Sequence, residues 1–461
     1  MREIKFINDY YCGKHPVWNT LDWGEESYWD SNNSFYKNQF AYLKNFESKG
    51  KTPKSFDNKF KFMRNKFKTI STYEYLRKTK EYKNDALFYE VCVYSNAENA
   101  FGNTDDFLLD KIPSKIIKAI NKSNNIFILL NYSSEGFISE ECLLNINNWI
   151  KNNMPFFQFI LVNANYNIFE WYDEFVKKYE IEETFTVIPY LWSFPQFVNM
   201  IQYGGFNNQK LNKNYDFEIA KKYDFNCLMR RLRPLRTKLL LDFDKLELLH
   251  KNQISYDTHI DDMTDENFYN NIERLSPTKK DEGWKRFCEI RKRKPKQIVD
   301  YDDLNKVNGI GMETDIPYKD SMFTVVAESY FFENQNIGYI SEKIWKPIIH
   351  KHPFIVFGNV KVLAHLQHWG FKTFGETGFI DESYDLEIDP HKRYVMVMKQ
   401  ILSLCNLSDK NKKNFMFNAQ KIANFNFEHF RRFNINDYND TFMEYINPLV
   451  QPPSDLEKTL F

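Results

Sequence analysis

Ser341, Glu342 and Lys343 stand in a row within GYISEKIWKPIIHKHPFIVFGN, residues Gly338 to Asn359. The stretch reads as a helix, a short polar corner and an apolar strand that runs into glycine. A serine just ahead of a helix can cap it, and the first-turn backbone N–H groups then point out of the helix end without partners. Such an end attracts anions. A diphosphate there would meet the positive helix terminus and the Lys343 ammonium, while Glu342 can accept hydrogen bonds from ribose or sugar hydroxyls. A first-turn glutamate also suits the helix dipole with no ligand present, so a plain capping arrangement stays open.

The elements that must carry these residues follow a β/α rhythm. IFILLNY (Ile126 to Tyr132) is a buried-strand run, SEECLLNINNWIKNN a helix pattern and FFQFILVNA a second apolar run, an order that implies a parallel sheet. Near Tyr223 the rhythm restarts: YDFNCLMR leads through Pro234 into the amphipathic RPLRTKLLLDFDKLELLHK, then QISYDTH, and later MFTVVAES, SEKIWKPIIHK, PFIVFGN and VKVLAHLQHWG. Turn residues gather in YGGFNNQKLNKNY between the two halves. The expected division is an irregular aromatic-rich region 1–80, a Rossmann-like domain 81–215, a second Rossmann-like domain 216–440 and a tail 441–461. At 461 residues the chain exceeds one ordinary core, and two domains imply a cleft.

Composition narrows the function classes. Hydrophobic residues at 43% and charged residues at 27% describe a globular protein rather than a disordered or fibrous one. Lysine and arginine number 62, as do aspartate and glutamate, so the excess positive charge of a dedicated nucleic-acid binder is missing. Six scattered cysteines form no CxxC pair, which fits a reducing cytosol. No run reaches the length of a membrane span, and the start MREIKFINDYYCGKHP lacks a signal-peptide core. The expectation is a cytoplasmic protein without a membrane span.

YISEKIWKPIIHKHPFIVFG resembles the donor-binding motif of family 10 fucosyltransferases: aromatic, aliphatic, Thr/Ser, Glu, Lys, then a helix and a Pro-containing strand ending at Gly. It is similar also to a group of phage and giant-virus glycosyltransferase-like proteins, whose versions continue into LQHWGFKTFGETGFIDESYD. The likeness covers roughly residues 223 to 405 and is strongest between Phe323 and Asp385. It implies an α/β chain of GT-B type, two Rossmann-like doubly wound domains facing a cleft, in the host cytoplasm if the chain is viral. The implied activity is an inverting, metal-independent transfer of fucose or another hexose from a GDP- or UDP-linked sugar to a hydroxyl of a glycan or glycoprotein acceptor. No resident cofactor is implied.

By the resemblance Tyr339, Glu342 and Lys343 hold the nucleotide sugar, and RPLRTKLLLDF places Arg236 on the donor phosphates, with Arg230 and Arg231 nearby. Arginine suits a diphosphate because its planar fork donates two parallel hydrogen bonds; the alternative is that these arginines only solvate a loop. The family's upstream Phe-Glu-Asn has two candidates, Glu328 in VVAES and Glu333 in FFEN. Glu328 is preferred because it ends an apolar strand. Inversion also needs a base for the acceptor proton. Glu135, in the SSEG turn after IFILLNY, is the candidate, with an exposed loop glutamate as its plain alternative. Asn163 and Asn165, at the end of FILVNAN, would line the same cleft.

Other features carry less. DFD (Asp242 to Asp244) imitates a metal motif but falls within a helix pattern and reads as a solvated helix face. IIHKHP lacks a third ligand for zinc. DESYD reads either as a sugar-facing loop by the resemblance or as a polar turn, and RKRKPK as an exposed basic run that could touch a polyanionic acceptor. Two other readings remain: transfer to modified bases of viral DNA, against which the balanced charge weighs, and a non-catalytic nucleotide-sugar or glycan binder.

Overall fold

The computed structural model describes residues 3–7, 68–70, 72–92, 107–133, 136–191, 194, 198, 221–229, 232–258, 280–294, 296–297, 316–332 and 337–450. The chain divides into two compact units, residues 1–192 with 434–461, and residues 193–433. Both are α/β with a largely parallel sheet, as the alternation of apolar runs and helix patterns implies.

In unit 1 the strands β1 (Ile4–Ile7), β2 (Lys68–Ile70), β3 (Ala86–Cys92), β4 (Ile126–Tyr132), β5 (Phe159–Asn163) and β6 (Thr186–Pro189) pair in the order β2-β1-β3-β4-β5-β6, all parallel. Alternate residues of these strands supply two cores, which is why the strands read as continuous apolar runs. Leu87, Tyr89, Ile128, Leu130 and Leu161 pack with Ile116, Leu143, Ile146, Trp171 and Phe175 of the crossover helices. The opposite parity, Phe6, Phe88, Phe127, Leu129 and Ile160, packs with Phe442, Met443 and Ile446 of the Ile435–Val450 helix. The first residues of the chain, with no clean period, thus contribute two strands to this sheet.

Unit 2 orders its strands β11 (Phe354–Phe357), β10 (Ser321–Ala327), β7 (Tyr223–Leu228), β8 (Gln253–Asp257) and β9 (Lys296–Gln297); only β9 runs antiparallel. From β7 the chain passes to β8 on one side and later to β10 and β11 on the other. The order therefore reverses between β7 and β10. By the right-handed rule for parallel crossovers, the Pro234–Lys245 helix after β7 and the Glu342–Ile349 helix after β10 go to opposite faces, and such a reversal is where a crevice opens at the carboxyl ends of the two strands. The second helix is anchored by Trp345, fully buried among Phe194, Trp369, Phe371 and Phe430.

The histidines of IIHKHP are core residues. His350 stacks on Tyr318 with ring centroids 4.1 Å apart. His352 Nε2 lies 3.0 Å from the Ser321 carbonyl, so it must donate, and Nδ1 accepts from the Thr324 hydroxyl at 2.9 Å. Burial holds His350 down to about 3 and His352 to about 4, both below the ordinary 6.5. Between pH 6.5 and 4 the unfolded chain therefore binds protons that the folded one refuses, and stability falls as pH falls through that window. The melting temperature is expected to drop over this range, and less steeply for His350→Phe, which keeps a ring on Tyr318. Identical slopes for the two proteins would overturn the assignment.

Candidate functional site

The β7–β10 crevice gathers the charged residues singled out from the sequence. Glu328 follows β10 directly and its backbone N–H donates to Phe357 O at 3.0 Å. Its side chain is 1% exposed, and Oε1 accepts the backbone N–H of Ser341 at 3.2 Å. Ser341 caps the next helix, accepting the Lys343 N–H on Oγ at 3.2 Å. The Lys343 ammonium donates to Glu342 at 2.7 Å, Ser341 Oγ at 3.2 Å and Ser329 Oγ at 3.3 Å. Tyr339, mostly buried, meets Tyr330 edge-on with centroids 5.5 Å apart.

Arg236 reaches the same place from the first turn of the Pro234–Lys245 helix. It is 5% exposed and Nη2 donates to the Ala327 carbonyl at the end of β10, at 3.2 Å. Burial works against its cation; Glu342 and Glu328 offset that cost, and Arg233 adds to it. Burial likewise pushes the Glu342 carboxyl up, but the Lys343 ammonium and then Lys346 outweigh it and hold the group down at about 2. Burial raises the Glu328 carboxyl, against the pull of Lys343 and the Ser341 hydrogen bond, while Glu342 adds to the rise. The cluster is thus two carboxylates, one ammonium and one guanidinium at a strand-order reversal.

This geometry changes one expectation. The helix opening does not present a row of vacant N–H groups, because Glu328 takes that of Ser341 and Ser341 takes that of Lys343. The charged side chains, not the bare helix end, are what an anion would meet, and of these the Lys343 side chain is 18% exposed. Glu328 fixes the start of the helix rather than standing open to solvent. Glu328→Ala is accordingly expected to cost about 1–3 kcal/mol by stranding the Ser341 N–H, while Glu328→Gln keeps an oxygen acceptor and stays near wild type. Urea unfolding reads both values, and equal losses in the two variants would remove this role.

Arg230, Arg231, Glu333 and Glu135 lie outside the described residues. Asn163 and Asn165 close the carboxyl end of β5 in unit 1, where Asn163 Oδ1 accepts the Asn165 N–H at 2.8 Å and Asn165 Oδ1 the Asn167 N–H at 2.9 Å. Both are fully buried and act as turn-formers there. The DFD aspartates are not a solvated face: Asp244, its side chain 6% exposed, pairs with Arg286 and Arg293, and Asp242 accepts from Lys238 and Tyr394. Arg293 is one of the residues of RKRKPK, so that basic run is partly tied to the same helix. In DESYD, Asp385 caps the Val362–His368 helix, accepting from the Leu363 and Ala364 N–H groups at 2.9 and 3.0 Å.

Sequence reading missed two supports of the cluster. Ser329 holds the Lys343 ammonium. Arg393, almost fully buried, donates to the carbonyls of Phe331 (2.8 Å) and Glu387 (2.7 Å) and lies over the Phe331 ring, so it clamps the chain just after Glu328. A lone arginine inside PHKRYVMVMKQILSLC carries no local signal for that distant contact. A cavity of about 800 Å³ lies along the Pro234–Lys245 and Pro390–Cys405 helices, lined by Lys238, Asp242, Tyr394, Val395 and Met398 among others. None of the charged cluster lines it, and its Lys238, Asp242 and Tyr394 already satisfy one another. Among the described residues no group of three or more His, Cys, Asp or Glu side chains is placed to hold a metal, and no helix is long and apolar enough to cross a membrane. No protein-family model, curated protein or solved structure matches the chain.

Proposed function

We propose that the chain is a glycosyltransferase whose unit 2 binds a nucleotide-diphosphate sugar and passes the sugar to a hydroxyl of a glycan or glycoprotein acceptor. The observation that carries this reading is the convergence of Arg236, Glu328, Glu342 and Lys343 at the carboxyl ends of β7 and β10, where the strand order reverses. Open α/β sheets bind ligands at such a reversal. Lys343 and Arg236 would take the diphosphate, and Glu342 the ribose or sugar hydroxyls. Positive side chains placed where the leaving diphosphate gathers charge would stabilise its departure. Glu135 would take the acceptor proton as the new bond to the sugar forms and the bond to phosphate breaks.

The test is a thermal-shift panel of GDP- and UDP-linked hexoses. A ligand that binds only the folded form raises the melting temperature, by about 2.7 kcal/mol of added stability at a hundredfold excess over its dissociation constant. One nucleotide sugar is expected to stand out from the panel and from the free nucleosides. A panel in which no nucleotide diphosphate shifts the transition would end this reading. Donor hydrolysis in the absence of acceptor separates an enzyme from a binder that has kept only the fold.

A further inference from the structure

The cavity along the Pro234–Lys245 and Pro390–Cys405 helices is an open groove to which each helix gives one face. On the second helix that face runs from His391 through Val395, Met398 and Leu402 to Asn406 just past its end, the three- and four-residue spacing of a single helical stripe. From His391 to Asn406 it extends about 22 Å, roughly four turns of helix. The first helix supplies Lys238, Asp242 and Lys245, and Leu246 follows directly on its end. Apolar side chains stand open along the groove: Val395 is 66% exposed and Leu246 42%. Exposed apolar residues scattered singly are ordinary, but apolar surface gathered in one groove marks a place where another molecule binds.

The charge of the groove is one-sided. Asp242, the one acid of its lining, is spent on the Lys238 ammonium at 3.0 Å and the Tyr394 hydroxyl at 2.6 Å. Lys245 on one wall and Lys399 on the other are exposed and enter no ion pair among the described residues. A fatty acid or other single-headed amphiphile carries its charge at one end and would answer one of these cations. A helix whose apolar stripe is bordered by carboxylates on both flanks answers both, while the stripe covers Val395, Met398 and Leu402. Met398, unbranched and polarisable, lets the floor adapt to the side chains laid on it. The geometry points to this groove as the docking site for an acidic amphipathic helix of a partner protein. The assignment is independent of the transferase reading, since no residue given to the nucleotide sugar or to the acceptor proton lines the groove.

The experiment follows the fluorescence anisotropy of labelled peptides of about four helical turns titrated with the full chain. One peptide carries leucine at three- and four-residue spacing with glutamate on both flanks, a second has lysine in place of each glutamate, and a third scrambles the first. The wild type is expected to bind the acidic peptide about 10-fold more tightly than the other two, with the preference shrinking as salt is raised. Val395→Asp should weaken the acidic peptide about 30-fold, as for a central contact of an interface. Lys245→Glu combined with Lys399→Glu should turn the preference toward the basic peptide. All three side chains are exposed, so melting temperatures near that of the wild type should accompany these changes. Failure of the acidic peptide to bind, equal binding of the scrambled or basic peptide, or unchanged affinity in Val395→Asp would overturn the assignment. Dodecanoate binding where no peptide binds would give the groove to a small amphiphile, and self-association of the wild type that Val395→Asp abolishes would give it to a second copy of the chain; either result overturns the partner helix.

Discussion

Lys343→Ala is expected to weaken nucleotide-diphosphate binding by about 10²-fold, the range for losing a hydrogen bond to a charged group, and to cost less stability than Arg236→Ala does. The asymmetry follows from where the ammonium sits. Its partners Glu342, Ser341 and Ser329 surround a side chain that retains access to solvent, and partly exposed ion pairs contribute little to stability. Arg236→Ala should differ in kind. Its guanidinium is buried against Ala327 O beside the buried Glu328 and the part-exposed Glu342, so removing it leaves that negative charge with less opposition and costs on the order of 3 kcal/mol of stability along with affinity. Calorimetry of the nucleotide diphosphate beside a urea melt separates the two patterns. If Lys343→Ala binds as tightly as wild type with its fold intact, the donor site has been misplaced. Inorganic pyrophosphate supplies a sign check, because Glu342→Gln should bind it more tightly than wild type does once the neighbouring negative charge is gone.

Much of this arrangement was legible because local signals and fold agree. IFILLNY is β4 residue for residue, MFTVVAES covers β10 but for its first residue, Ser321, PFIVFGN holds β11, and Ser341 caps its helix. Buried parallel strands announce themselves as unbroken apolar runs, and a cap is a one-residue signal. IKFI near the start was not legible, since four apolar-to-basic residues in an aromatic, aperiodic region give no period to count; pairing with β2 and β3 makes it a strand. The Ile435–Val450 helix presents Phe442, Met443 and Ile446 to a sheet more than two hundred residues earlier, which no local pattern can encode. Within the site, Ser341, Glu342 and Lys343 stood out as a helix opening and Glu328 as a strand end, whereas Arg236 was named only through a family resemblance. Their partners carry no such signal: Ser329, Arg393 and the Glu328–Ser341 bond depend on tertiary approach. The same holds for DFD, whose solvated appearance reverses once Arg286 and Arg293 close over Asp244.

Glu135→Gln is expected to lower turnover by about 10²-fold or more at saturating donor and acceptor, the usual worth of a general base, with nucleotide affinity unchanged. The amide keeps the size and much of the polarity of the carboxyl but cannot take the acceptor proton as the sugar leaves the diphosphate. Glu140→Gln is the matched control. Glu140 opens the Glu140–Asn153 helix behind its Ser139 cap and accepts from the Lys178 ammonium at 2.5 Å and the Tyr179 hydroxyl at 2.7 Å. The hydrogen bonds from Lys178 and Tyr179 hold its carboxyl below the ordinary range. Its loss should therefore cost a few tenths of a kcal/mol in stability, as for an exposed pair, and nothing in turnover. The pH profile divides the cases further: a carboxylate base gives a rate that rises with pH through its own ionisation, and Glu135→Gln should flatten that limb while Glu140→Gln leaves it in place. Wild-type turnover in Glu135→Gln would move the base elsewhere in unit 1 and leave the donor cluster standing. Because the proposed reading gives the proton and the diphosphate to different residues, a base that fails this test does not take Lys343 and Arg236 down with it.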